Sequence, residues 1–186
     1  MAQALVDSAI EFCDASLVMR ERLDGFTTTA GIALYDLAEP TQQTVSRVTG
    51  VTLDGIGLSG LVADHLPDLI AGSNRPVYFY TRRDDSEFQL GLYPPPDAAY
   101  QIRVSTTLRP ARNATQLQND LFDLWIEPII AGAIARVCAV PNQPYSNPSM
   151  AQFYAQKAGH GATKARAEGA YGRMRGPMQV KPRPFA

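Results

Sequence analysis

Apolar residues recur every three or four positions at Val6, Ala9, Ile10, Cys13, Leu17 and Val18, with Glu11, Asp14, Arg20, Glu21 and Arg22 mostly on the opposite side. That period predicts an amphipathic helix over residues 4–23, ended by Asp24-Gly25. The period then drops to two. Runs at 32–37, 44–53, 77–82, 88–93 and 100–108 read as strands, and Tyr100-Gln-Ile-Arg-Val-Ser alternates apolar with polar as an antiparallel strand with one buried face does. Asp54-Gly55 predicts a tight turn, 82–86 a polar hairpin loop, and 94–97 a proline-rich break between the last two strands. Residues 26–110 therefore form a β module, with one short helix expected over 61–71 and interrupted by Pro67.

Beyond Pro110 the helical period returns over 117–139. Leu117, Leu121, Leu124, Trp125, Ile129, Gly132, Ala133 and Arg136 fall along one side, and Pro128 is expected to kink the helix or open a second one. Asn147-Pro148 supplies a cap and a first-turn proline for another helix over 148–170. Gly159, Gly161 and Gly169 each weaken a helix by roughly 1 kcal/mol relative to alanine, which predicts bending or fraying near His160. Helix, strands, then helices is the order of an α+β fold: a helical bundle, made of the N-terminal helix and two long C-terminal helices, with an antiparallel β module inserted.

Length and composition fit one domain with an extension. The chain has 186 residues, 45% hydrophobic and 19% charged, with a net charge of −1. The charge is unevenly placed: residues 157–186 hold seven of the seventeen basic residues and one acid, Glu168, so that segment carries +6 and the remainder −7. Its last part, RMRGPMQVKPRPFA, holds Pro177, Pro182 and Pro184, which forbid regular helix and favour an extended path. Met174, Met178, Val180 and Phe185 sit among Arg173, Arg175, Lys181 and Arg183, a pattern suited to filling pockets on a partner. The expected division is a body over 1–171 and a docking arm over 172–186; an unconstrained chain end is the alternative. No leader-like or membrane-spanning run is apparent, so a soluble, unprocessed chain is expected. Cys13 and Cys138 lie in apolar helical contexts and read as reduced core thiols.

Candidate chemistry is sparse. Residues 55–60, GIGLSG, formally match a dinucleotide fingerprint after a strand. Pro67 cuts short the helix that should follow, and Tyr80 stands where a ribose-binding acid belongs, so the glycines read as a turn. His65, beside Asp64 and near Asp68, has no activated nucleophile to serve, and neither it nor His160 has a second ligand at metal spacing. Asp84 and Asp85 are adjacent in a loop, where successive side chains diverge. Tyr78, Phe79 and Tyr80 lack the interleaved cations of a base-stacking sheet and read as strand packing. No catalytic residue, cofactor or metal is expected.

Several strings, in order, resemble the head-to-tail adaptor, or connector, proteins of tailed phages, in particular short-tailed ones. They are ALVDSAIEFCDASLVMRE, LGLYPPPDAAYQIRV with LRPARNATQL, DLWIEPIIAGAIARV, PNQPYSNPSMAQFY, and ARAEGAYG before the tail. The resemblance implies a non-enzymatic virion protein of the neck, assembled in the host cytoplasm into a ring, usually of twelve copies, that extends the DNA channel. It also implies arms that grip the portal, here Arg173, Met174, Arg175, Pro177, Met178, Val180, Lys181, Pro182, Arg183, Pro184 and Phe185. Further implied partners are tail or nozzle proteins and double-stranded DNA that passes without sequence-specific binding; no membrane is involved. The alternatives are a small nucleotide-dependent enzyme using the loop from Gly55 to Gly60, and a non-specific nucleic-acid binder using the basic tail.

Overall fold

The computed structural model describes residues 2–62, 72–84 and 87–171. In chain order the elements are α1 (Ala2–Ser16), β1 (Arg20–Arg22), β2 (Phe26–Thr27), β3 (Leu34–Asp36), β4 (Gln43–Leu53), β5 (Ile56–Gly57), β6 (Ser59–Gly60), β7 (Tyr78–Asp84), β8 (Glu87–Tyr93), β9 (Gln101–Pro110), α2 (Asn119–Cys138) and α3 (Pro148–Tyr171). The α+β arrangement expected from the periodicity is the one observed. The helix expected over 61–71, the triplet Asp64, His65 and Asp68, the Asp85 loop position and the arm over 172–186 lie outside the described residues or largely so.

The first helix is shorter than its apolar period predicts. It closes with a bond from the Leu17 N–H to the Cys13 carbonyl at 2.9 Å, and Leu17 itself takes a φ of 53°. Arg20–Arg22, expected as the last turn of that helix, instead lies antiparallel to β9, with Arg20 opposite Thr107 and Arg22 opposite Ser105. Arg-Glu-Arg has no apolar side to bury in a helix, and as a strand it satisfies an edge of β9 that would otherwise be bare.

Strands β1, β9, β4 and β5 form one sheet in that order, with β2 also on β9; β3, β8, β7 and β6 form the other. All pairings are antiparallel except the two-residue β6–β7 ladder. The turn at Asp54-Gly55 has consecutive φ values of 49° and 84°, the mirror-image hairpin turn that this dipeptide favours. Between the sheets lies a core of Val45, Val51, Leu53, Leu90, Leu92, Ile102, Val104 and Leu108, all essentially inaccessible. Leu90 and Leu92 come from β8, Ile102 and Val104 from β9, at the spacing of two that places side chains on one face. Tyr80 lies on Gly91 of the paired strand, in keeping with packing rather than base stacking.

A second core joins Ala9, Phe12 and Cys13 of α1 to Leu121, Trp125 and Ile129 of α2 and Ala165 of α3. Trp125 is 8% exposed and its ring stands 5.8 Å from that of Phe12, as its place in the apolar period predicts. Pro128 has no N–H to give the Leu124 carbonyl, and the helix breaks locally at Trp125, with φ −131° and ψ 15°. The buried stripe runs through Leu121, Trp125 and Ile129, and Leu124, expected on the inner side, falls to its flank and is exposed. Met19 packs against both cores.

Helix α3 opens as expected, the Met150 N–H donating to Asn147 Oδ1 at 3.0 Å. It does not break near His160. A Cβ on Gly161 would stand 2.3 Å from Cβ of Pro128, and one on Gly132 would stand 2.3 Å from Ser8 Oγ, which donates at 2.7 Å to the Ile129 carbonyl. These glycines are where helices cross, and the packing they permit outweighs their poor helix propensity.

Candidate assembly surfaces

The helical layer and the sheets are fastened by a charged contact. The β4–β9 register shifts between Val45 and Arg47 and again between Val48 and Gly50. The first bulge aims Ser46 at α1, where its hydroxyl donates to Asp14 Oδ1, and Arg109 on β9 donates to Asp14 Oδ2 at 2.7 Å. Asp14 is thereby held by two different strands. A body so fastened presents its outer faces in fixed relation.

Three apolar features lie on those faces. First, the second half of α2 has no polar side: from Pro128 to Cys138 the single charged residue is Arg136, whereas Asp120, Asp123 and Glu127 mark the outer side of the first half. One side of it packs inward through Leu121, Trp125 and Ile129, while Phe122, Leu124 and Ile130 are 59%, 51% and 43% exposed. A helical stretch without a polar face, as from Pro128 to Cys138, is ordinarily buried on all sides. Secondly, α1, α2 and α3 enclose a cleft of about 540 Å³, lined mainly by alanines such as Ala15, Ala135, Ala155 and Ala162 and crossed at the rim by the Glu11–Arg136 ion pair at 2.8 Å. Its polar groups are few, and Ser8 is already engaged, so it lacks the converging donors and acceptors that fix a small ligand. Thirdly, Phe153 is 60% exposed and packs edge-on against Tyr154 near the start of α3.

A smaller cleft of about 250 Å³ lies at the other end of the bundle, between the chain after α1, the start of α2 and the last turns of α3. Val18, Leu121, Leu124 and Trp125 form its apolar part; Glu21, Asp120 and Glu168 stand around it with one cation, Arg20. Glu168 faces Lys164 at 3.9 Å, whereas Glu21 and Asp120 have no ion pair among the described residues.

The candidate chemistry from the sequence separates as follows. The fingerprint from Gly55 to Gly60 opens on a hairpin turn and runs through two short strands, β5 pairing back on β4 and β6 on β7, and the residues 63–71 that follow it lie outside the described residues. His160 is exposed on α3. No three metal-ligating side chains cluster among the described residues, and no described helix is long and apolar enough to cross a membrane. Cys13 and Cys138 are free thiols, Cys13 buried and Cys138 half-buried. Burial, with the Asp14 carboxylate as a second cause, pushes the Cys13 thiol from 9.0 up to about 12, and its Sγ rests 3.4 Å from Met19 Sδ. Tyr100 is also raised, chiefly by its hydroxyl's bond to Asp97 at 2.7 Å. Neither group faces a partner that chemistry would need. Phe122 and Ile130 were missed by the periodicity; for Ile130 the lack of any polar side to the second half of α2 was there to be read, whereas Phe122 stands between Asp120 and Asp123.

Compared with known protein families, residues 1–181 match the model described as SU10 adaptor protein. A search of curated proteins finds no match.

Proposed function

The chain belongs to the SU10 adaptor protein family, a family of phage head-to-tail adaptors, and from that premise we propose that it forms the ring joining portal to tail. Its role is structural rather than catalytic. The observation that carries the proposal is the extent of the family match, which takes in the whole folded body and continues to residue 181, through much of the basic segment after α3. In this proposal 1–171 is the body and 172–186 the arm, and Arg173, Met174, Arg175, Pro177, Met178, Val180, Lys181, Pro182, Arg183, Pro184 and Phe185 engage the portal.

The exposed faces support the same assignment. The outward residues of α2 and the alanine-lined cleft lie on different parts of one subunit, the arrangement that a head-to-tail ring uses and a two-fold dimer does not. Twelve copies would repeat every arm contact, so modest docking per subunit becomes firm through avidity. Double-stranded DNA passes through the lumen without base-specific contact; tail or nozzle proteins take the other side; the site of action is the virion neck, after assembly in the host cytoplasm. Copurification with the portal of the same phage, followed by a native mass, tests the proposal: a closed ring on the portal supports it, and a stable free dimer of two-fold symmetry with no affinity for the portal overturns it.

A further inference from the structure

We propose that the beginning of the arm, from Arg173 to Met178, docks on the body of its own chain in the cleft around Trp125, so that the arm is held back until a partner takes it.

The cleft and the segment fit by position, charge and apolar content. Glu168 and Gly169 line the cleft and α3 ends at Tyr171, so the arm leaves from the cleft's own edge. About 3.3 Å per extended residue then suffices for Arg173 and Met174 to turn back across it. Around the cleft stand three acids and one cation, Glu21 and Asp120 having no ion pair among the described residues, while the segment offers Arg173 and Arg175 and no acid. The exposed Leu124 and the rim of Trp125 give Met174 and Met178 an apolar floor, a surface to which methionine adapts readily. Because the tether is short, the effective concentration of the segment at the cleft is high even where each contact is weak. The alanine-lined cleft lies along the other part of α3, from Ala151 to Ala162, and is left open by this docking.

That holding back regulates attachment rests on the arm being the attachment element; the docking itself does not. The test uses the full chain and its single tryptophan. Arg173→Glu with Arg175→Glu is expected to shift Trp125 emission to the red and to increase its quenching by acrylamide. Glu21→Lys with Asp120→Lys is expected to do the same, and the four changes combined to restore both readings. The restored reading separates docking from a mere loss of folding in either pair. Unchanged emission in both pairs, or no restoration in the combination, overturns the proposal. Effects that disappear on dilution also overturn it, since they assign the arm to a second copy. Portal capture, measured separately, reports on the attachment role and is independent of these readings.

Discussion

Gly159 and Gly161 stand one turn-fraction apart on the same helix and should respond oppositely to alanine. Each change removes the backbone freedom that glycine keeps in the unfolded chain, which favours the folded state by about 0.5–1 kcal/mol in a helix interior. At Gly159 the new Cβ meets nothing within 4 Å, so that gain stands. At Gly161 it would lie 2.3 Å from Cβ and 2.9 Å from Cγ of Pro128, whose ring is fixed to the backbone of α2 and cannot swing aside. Separating the two helices costs roughly 1–3 kcal/mol, as overpacking does, and outweighs the propensity gain. Gly161→Ala should therefore lose about 1–2 kcal/mol net and Gly159→Ala gain slightly less than 1. With about 2–4 °C per kcal/mol for a chain of this size, thermal melts followed by circular dichroism separate the two variants clearly. A Gly161→Ala protein as stable as the parent would refute the close crossing of α2 and α3.

Trp125→Ala should cost about 3–5 kcal/mol in urea unfolding, because it empties the centre of the helical core against Phe12; a cost under about 1 kcal/mol would contradict that burial. Cys13 gives a pH test. Its folded pKa is raised, so the thiol's contribution is fully present below 9.0 and is lost as pH rises toward about 12. Comparison of parent with Cys13→Ala should show the parent losing more stability across that window, and native alkylation at pH 8 should label Cys138 before Cys13. Deleting 172–186 should abolish joining to portal-bearing heads, with Phe185→Ala weakening it more than Arg183→Ala, since exposed charge pairs contribute little; head occupancy by a truncated chain at the parent level would assign attachment to the body.

The elements with a clean period were legible. The strands at 44–53 and 100–108, the Asp54-Gly55 turn, the Asn147 cap and the inward place of Trp125 follow from local residue order, and the structure has them. What the period does not carry is competition between partners. Arg20–Arg22 continue the helical spacing numerically, yet a strand partner with open hydrogen bonds outbids another turn of helix. Leu124 belongs to the apolar side of the wheel, yet the buried stripe runs through Leu121, Trp125 and Ile129 and leaves it on the flank. Gly161 looks like a weak point until the ring of Pro128 is set against it. For the surfaces, the basic arm with its interleaved apolar residues is an expectation that lies outside the described residues, whereas the acidic cleft beside Trp125 is made of residues far apart in sequence and exists only once the helices have packed.

Met19 touches both cores, and that position has a consequence for how the chain must fold. The helical core draws α1 from one end of the sequence and α2 and α3 from the other, with the entire β module between them. Bringing such distant partners together carries a loop-closure entropy that nothing local repays. The ladder from Arg20 to Arg22 on β9 solves this, because it ties the exit of α1 to the strand that leads into α2, and the Leu108 N–H bond to the Met19 carbonyl at 2.8 Å completes the tie. On this hypothesis the sheets form first and deliver the two ends of the bundle to each other around Met19. Pulse-labelled hydrogen exchange would find the β9 amides protected before those of α2, and the reverse order would show that the bundle assembles without the sheet's help.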